Sequence, residues 1–250
     1  MASNKEIVGY SAIPTDTVFI LDLSQSMDNG QYVPSMVGAA NAAIDELLKL
    51  NKHNRISVIV YSGRSTTGTS NLEHATVLLP LERYTATDGK YIRYTGSSGD
   101  TTVSIGTNVR YEDTKLGKVE DASKQTIGGT YIQSGLYLAY QQFEDVYEKG
   151  DTVIDSELIQ GGTTRMPIIT LMSDGRPTVA STYYDDISKN VVTQQVGGGQ
   201  GGNRPGGGNN QQTVTYTGVS THGNGSGNGN NTLTFLTQLT AAHLKASVEE

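Results

Sequence analysis

Three short stretches of this chain are almost wholly apolar without alternation: TVFIL at 17–21, ISVIVY at 56–61 and PIITLM at 167–172. A strand with one wet face alternates polar and apolar side chains. Unbroken β-branched runs of this length therefore predict strands buried on both faces, as in the centre of a parallel sheet. Between the first two runs, residues 32–50 place Met36, Val37, Ala40, Ile44, Leu47 and Leu48 on one stripe, with Asn41, Asp45 and Lys49 elsewhere around the turn. That pattern predicts an amphipathic helix. A strand, a helix and a strand at this spacing make a crossover unit, so the expected class is α/β, a doubly wound, open, mostly parallel sheet with helices on both faces. TVLLPL at 76–81 adds a third strand, with Pro80 pointing to an edge position. A second helical stripe, Ile132, Leu136, Ala139, Phe143 and Val146, runs through 130–148 and is entered from Gly128-Gly129.

The 250 residues are read as one domain. Residues 1–14 form an N-terminal extension. Residues 85–121, rich in Thr, Tyr, Gly and Ser, form an insertion in which TTVSI at 101–105 pairs as a surface hairpin. The stretch 197–231 is dominated by Gly, Asn and Gln and reads as a low-complexity loop, with a short hairpin at 213–219. Leu233, Leu236, Leu239 and Leu244 give 232–250 a helical pattern.

A net charge of −7 supplies no basic field for phosphate backbones, so no nucleic-acid partner is expected. The absence of cysteine excludes disulfides, zinc–thiolate sites and cysteine nucleophiles. Residues 1–6 have neither the basic start nor the apolar stretch of a secretory signal, and no later run is long enough to span a bilayer, so no membrane insertion is expected.

Three polar clusters share one structural address, the carboxyl end of a strand or the entry to a helix: Asp22-Leu23-Ser24-Gln25-Ser26, Gly128-Gly129-Thr130 and Ser173-Asp174-Gly175. In an open α/β sheet those ends line one rim, where ligands bind. Two carboxylates and several hydroxyls, with no histidine or thiol, form a hard oxygen set suited to Mg2+, Mn2+ or Ca2+ and poor for zinc or copper. Hydroxyl donors neutralise no charge, so such a cation stays electropositive and open to an incoming carboxylate.

The order DLSQS, GGT, SDG resembles the metal-ion-dependent adhesion site of von Willebrand factor A domains, from about residue 15 to 177. The resemblance implies that Ser24, Ser26 and Thr130 are hydroxyl ligands of Mg2+, with Mn2+ and Ca2+ as alternatives. It implies that Asp22 and Asp174 bind the cation directly or through water and orient the hydroxyls. It further implies a strand order 3-2-1-4 and a partner protein offering an Asp or Glu carboxylate. The family's further strands are not visible past 177, so the sheet is expected to stop after its fourth strand and the helix that follows. Strand four is then an apolar edge that a second chain can complete.

Each cluster also has a plainer reading. DLSQS caps the following helix, Thr130 caps its own helix, and Asp174-Gly175 is a common turn pair. Met27 reads as core filling, the four histidines lack metal-ligand spacing, and Asp185-Asp186 reads as a solvated acidic turn. Tyr91, Tyr94 and Tyr111 read as strand residues, or as contact residues if the insertion faces the rim. The leading function is a divalent-cation-dependent adhesion module on a bacterial cell surface or pilus, and the alternative is a metal-binding subunit of an intracellular chelatase or AAA-type assembly. An enzyme is not expected: the sequence has no G-x-S-x-G elbow, P-loop, H-E-x-x-H or C-x-x-C, and Ser24 stands where an Asp-x-Asp phosphotransferase needs its second carboxylate.

Overall fold

The computed structural model describes residues 13–63, 75–86, 88–97, 101–106, 109–111, 123–125, 129–148, 165–178, 180–182, 192–196, 212–216, 220–222, 237–238 and 241–242. Its elements are β1 (Thr15–Asp22), α1 (Gln25–Asn29), α2 (Val33–Leu50), β2 (Arg55–Tyr61), β3 (Ala75–Glu82), β4 (Tyr84–Ala86), β5 (Ile92–Thr95), β6 (Thr102–Ile105), β7 (Val109–Tyr111), β8 (Ser123–Gln125), α3 (Ile132–Glu148), β9 (Met166–Met172), β10 (Ala180–Thr182), β11 (Val192–Val196), β12 (Gln212–Tyr216) and β13 (Ser220–His222).

The central sheet runs β3-β2-β1-β9, the order expected from the resemblance. β1 is parallel to both β2 and β9, while β3 returns antiparallel to β2 with two register shifts. The sheet is thus mixed and mostly parallel. Every residue of β1 and β2 is buried, which explains their unbroken apolar runs. Alternate β1 residues feed two cores. Phe19 and Leu21 join Met36, Val37, Ala40 and Ile44 of α2, whereas Val18 and Ile20 join Ile132, Leu136, Ala139 and Phe143 of α3. The helices therefore cover opposite faces of the sheet. Gly135 lets α3 approach closely, since a Cβ there would meet Ile20 Cγ2 at 2.6 Å and Tyr61 Cδ1 at 3.2 Å.

In its described residues the insertion is more extensively paired and more buried than a surface hairpin. β6 pairs antiparallel with β5 and β8, and β4 with β7, so paired strands extend to 125, past the expected boundary at 121. Tyr91, Ile92, Val103 and Val109 belong to the α2-side core. Asn41 of α2 holds β5 like a neighbouring strand, donating from Nδ2 to the Ile92 carbonyl and accepting the Ile92 N–H, both at 2.8 Å. Tyr94 is exposed.

The hairpin expected at 213–219 is placed differently. β12 pairs with β11 and β13 with β10, both antiparallel, so the partners are strands earlier in the chain, with the Gly-rich stretch between β11 and β12. The rest of 197–231, the N-terminal extension apart from residues 13–14, and Asp185-Asp186 lie outside the described residues. Of the C-terminal helical pattern, 237–238 and 241–242 are described and are helical. No helix among the described residues is long and apolar enough to cross a membrane.

β9 forms one edge of the central sheet among the described residues, and Met166, Ile169 and Leu171 are 47%, 40% and 41% exposed. Its start is fixed by a buried charge cluster. Asp16, wholly buried in β1, accepts Arg55 Nε at 2.8 Å and Nη2 at 2.6 Å, and Arg165 Nη2 at 2.6 Å. Arg165 also reaches the Thr15 and His53 carbonyls. Burial works to raise the Asp16 pKa, but the hydrogen bonds and charges of the two arginines outweigh it and hold it below the ordinary value. A carboxylate with a depressed folded pKa contributes stability above its unfolded value and loses it as pH falls through the folded one. Asp16→Asn takes the carboxylate charge away from two buried guanidinium groups and is expected to cost about 3–5 kcal/mol in chemical denaturation at neutral pH. The difference from wild type should shrink as pH falls below about 3.8.

Candidate functional site

β1 ends at Asp22, paired in register with Tyr61 of β2, while Leu21 pairs with Met172 of β9. This alignment brings the DLSQS and SDG loops to one rim. Ser24 leads into α1, a five-residue helix inside the segment expected as a loop. As the N-cap, Ser24 makes no side-chain cap hydrogen bond, so its hydroxyl is turned to other work.

A hydrogen-bonded chain joins four of the five expected ligands. Asp22 Oδ1 accepts the Ser24 N–H at 2.7 Å. Ser24 Oγ and Ser26 Oγ lie 3.0 Å apart, and Ser26 Oγ donates to Asp174 Oδ1 at 2.9 Å. With the Ser26 proton on Asp174, the Ser24 hydroxyl is the donor to Ser26. Asp22 and Ser24 are buried at the floor, whereas Ser26 and Asp174 are exposed at the mouth. The oxygens are graded from a dry interior to solvent.

Thr130, the fifth expected ligand, is outside this hydrogen-bonded chain and is held through its backbone by Thr178. Its N–H donates to Thr178 Oγ1 at 2.7 Å, and its carbonyl accepts the Thr178 N–H at 2.9 Å. These bonds tie the entry of α3 to the loop that carries Asp174. Gly129 adopts φ 89°, a left-handed conformation suited to glycine, and Gly63 after β2 packs against the same turn. Thr130 is buried, and its hydroxyl is not hydrogen-bonded to the other four side chains among the described residues.

Two contributors lie beyond the five. Ser173 Oγ donates to Asp22 Oδ2 at 2.6 Å, so both oxygens of that carboxylate are engaged. The Tyr61 phenol is wholly buried near Asp22 and Ser173, without a hydrogen bond of good geometry. The signal for Ser173 was its place beside Asp174, and for Tyr61 its position at the end of the strand neighbouring Asp22.

Burial raises the Asp22 pKa, and the hydrogen bonds from Ser173 and Ser24 offset this only in part. The Tyr61 phenol is pushed well above its ordinary value, by burial and then by the Asp22 charge. Among the described residues no Lys, Arg or His pairs with Asp22 or Asp174. The rim therefore gathers two carboxylates and at least three hydroxyls around a point without a cationic side chain. A buried carboxylate without a counter-charge is costly in a dry setting.

Residues 17–95 match the von Willebrand factor type A domain family. The matched segment runs from β1 into β5 and contains Asp22, Ser24 and Ser26, while Thr130 and Asp174 lie beyond it. No match to a curated protein is found. Among solved structures, the chain is similar to two crystal structures of the pilus adhesin SpaC from Lactobacillus rhamnosus GG, with TM-scores of 0.42 and 0.45, the latter in an open conformation. Each is 16% identical and covers 94% of this chain, which spans 23% of the adhesin's length. Among the described residues no group of three or more His, Cys, Asp or Glu is placed to hold a metal ion.

Gly63 is the point at which the Thr130 turn has least room. A Cβ there would lie 3.1 Å from the Gly129 carbonyl carbon and 3.2 Å from the Thr130 nitrogen, both backbone atoms that yield poorly. Gly63→Ala is expected to displace this turn at a cost of about 1–3 kcal/mol. Thermal denaturation would register the loss, and faster amide exchange at 129–131 would localise it.

Proposed function

We propose that the chain is a divalent-cation-dependent adhesion module of a bacterial surface protein, a binding module and not an enzyme. The observation that carries this reading is the convergence of Asp22, Ser24, Ser26 and Asp174 in one hydrogen-bonded chain with no cationic partner among the described residues. The donor set fits a hard cation: all the donors are oxygens, and the orphaned Tyr61 Oη marks a polar, incompletely satisfied floor. Ser24, Ser26 and Thr130 are the proposed hydroxyl ligands of Mg2+, for which Mn2+ or Ca2+ can substitute. When bound, the cation supplies an electrophilic position open to a carboxylate from a partner protein's Asp or Glu.

The chain's own residues have separable tasks. Asp22 supplies charge from the floor and, through the Ser24 N–H, sets the turn that presents both serines. Ser173 holds Asp22 by its second oxygen. Asp174 stands at the mouth, where it orients the Ser26 hydroxyl and adds the second negative charge. An acidic surface alone would repel an acidic partner, so capture of a carboxylate at this rim requires a cation.

Calorimetric titration with Mg2+ and Mn2+ tests the reading. Wild type is expected to bind one cation, and Asp22→Ala or Asp174→Ala to weaken binding by at least about 10–100-fold, as losses at the ligands or their supports do. Capture of an Asp- or Glu-bearing peptide should then disappear with EDTA and return with Mg2+. Peptide capture indifferent to EDTA would sink the adhesion mechanism even if a cation binds.

A second chain is the proposed cover for β9, whose exposed Met166, Ile169 and Leu171 are an unusual apolar load for an edge. Sedimentation should show concentration-dependent association that Ile169→Lys reduces. A monomer at all concentrations, with protected β9 amides, would contradict this.

A further inference from the structure

We infer that Thr101 and Asp28 form a clasp through which the insertion positions the DLSQS loop, making both of them positioning residues for the cation site. The inference rests on the cation reading of that site. α1 is only five residues long, and its N-cap makes no side-chain bond. A helix of little more than one turn has no stability of its own in water, so its orientation must come from tertiary contacts. Met27 supplies one by packing in the α2-side core. Asp28 supplies another: it is 3% exposed, and it accepts a short hydrogen bond at 2.5 Å from Thr101 Oγ1, 73 residues away and itself 5% exposed.

Thr101 immediately precedes β6, whose partner β5 is held to α2 by Asn41. The clasp therefore connects a strand platform anchored on α2 to the turn that presents Ser24 and Ser26. Asp28 lies two residues from Ser26 and donates its own N–H to the Ser24 carbonyl at 3.3 Å. A shift of Asp28 is thus passed along one helical turn to both hydroxyls. Directional hydrogen bonds to a buried carboxylate impose orientation more strictly than apolar packing does. Release of the clasp removes one of the contacts that orient α1, and the serine hydroxyls lose part of their shared aim.

Thr101→Val keeps the side-chain shape and removes the donor, Thr101→Ser keeps the donor, and Asn41→Ala loosens the insertion at its other anchor. In Mn2+ calorimetry on the full chain, Thr101→Val is expected to weaken binding by about 10-fold or more. Thr101→Ser should stay within a few-fold of wild type, as expected when the donor is retained. Faster exchange of the α1 amides in Thr101→Val, with β1 and β2 still protected, would show that the loss comes from this turn and not from global unfolding. Wild-type affinity in a folded Thr101→Val protein overturns the clasp alone. Equal weakening by Asn41→Ala with α1 exchange unchanged also overturns it, because a generally loosened insertion would then account for the effect. Failure of wild type to bind any cation overturns the cation reading together with this inference.

Discussion

The register of β1 against its two neighbours governs everything at the rim, and the Asp16 cluster fixes that register. Asp16 pairs with Arg55 in β2 and with Pro167 in β9, two residues after Arg165. Six residues along, the same alignment sets Asp22 beside Tyr61. A slip of one residue would turn every side chain of β1 to the opposite face, moving Asp16 off its arginines and Asp22 off Ser173. The apolar residues between them would resist such a slip weakly, because both sides of the sheet are greasy. A buried ion cluster is a poor source of net stability but a good source of specificity, and here it marks a unique alignment.

The two ends of β1 meet opposite electrostatic solutions. Asp16 and Asp22 are both wholly buried, yet one carboxyl is held below its ordinary pKa and the other above it. Burial acts in the same direction on both. The difference lies in the neighbours: two guanidinium groups surround Asp16, whereas Asp22 has only neutral donors, Ser173 and Ser24, with the Tyr61 phenol near but not hydrogen-bonded. One end of the strand closes its charge balance within the protein, and the other leaves it open toward the rim.

Much of this arrangement was legible in the sequence where burial on both faces suppressed alternation. TVFIL and ISVIVY became the wholly buried β1 and β2, PIITLM became β9, whose residues are exposed or half-buried and not buried on both faces as expected, and the stripe from Met36 to Leu48 became the sheet-facing side of α2. The loop residues were legible as polar clusters at the ends of apolar runs, and Asp22, Ser24, Ser26 and Asp174 are joined in one hydrogen-bonded chain. What escaped depends on long-range pairing. α1 is too short to show periodicity. The insertion's burial through Tyr91, Ile92 and Val103 follows from the reach of Asn41 across 51 residues. The partner of β12 is β11 upstream, a choice that local turn signals do not encode. Arg165, flanked by Thr and Met, carries no motif that announces Asp16 as its partner.

The reach of the insertion bears on how the rim is held. In an α/β sheet the loops beyond the strand ends are usually the softest part of the fold, while the strands beneath them are rigid. Here the serine-bearing turn is tied to rigid elements on three sides. Asp22 anchors it to the end of β1, Met27 to the α2-side core, and Asp28 to the strand platform of the insertion. The Thr130 turn is tied to the Asp174 loop by paired backbone and hydroxyl bonds to Thr178. Ser26 and Asp174, by contrast, are exposed and meet across 148 residues through a single hydrogen bond. Rigidity is thus concentrated at the floor and freedom at the mouth, the distribution expected where a fixed set of oxygens must remain accessible to an incoming group.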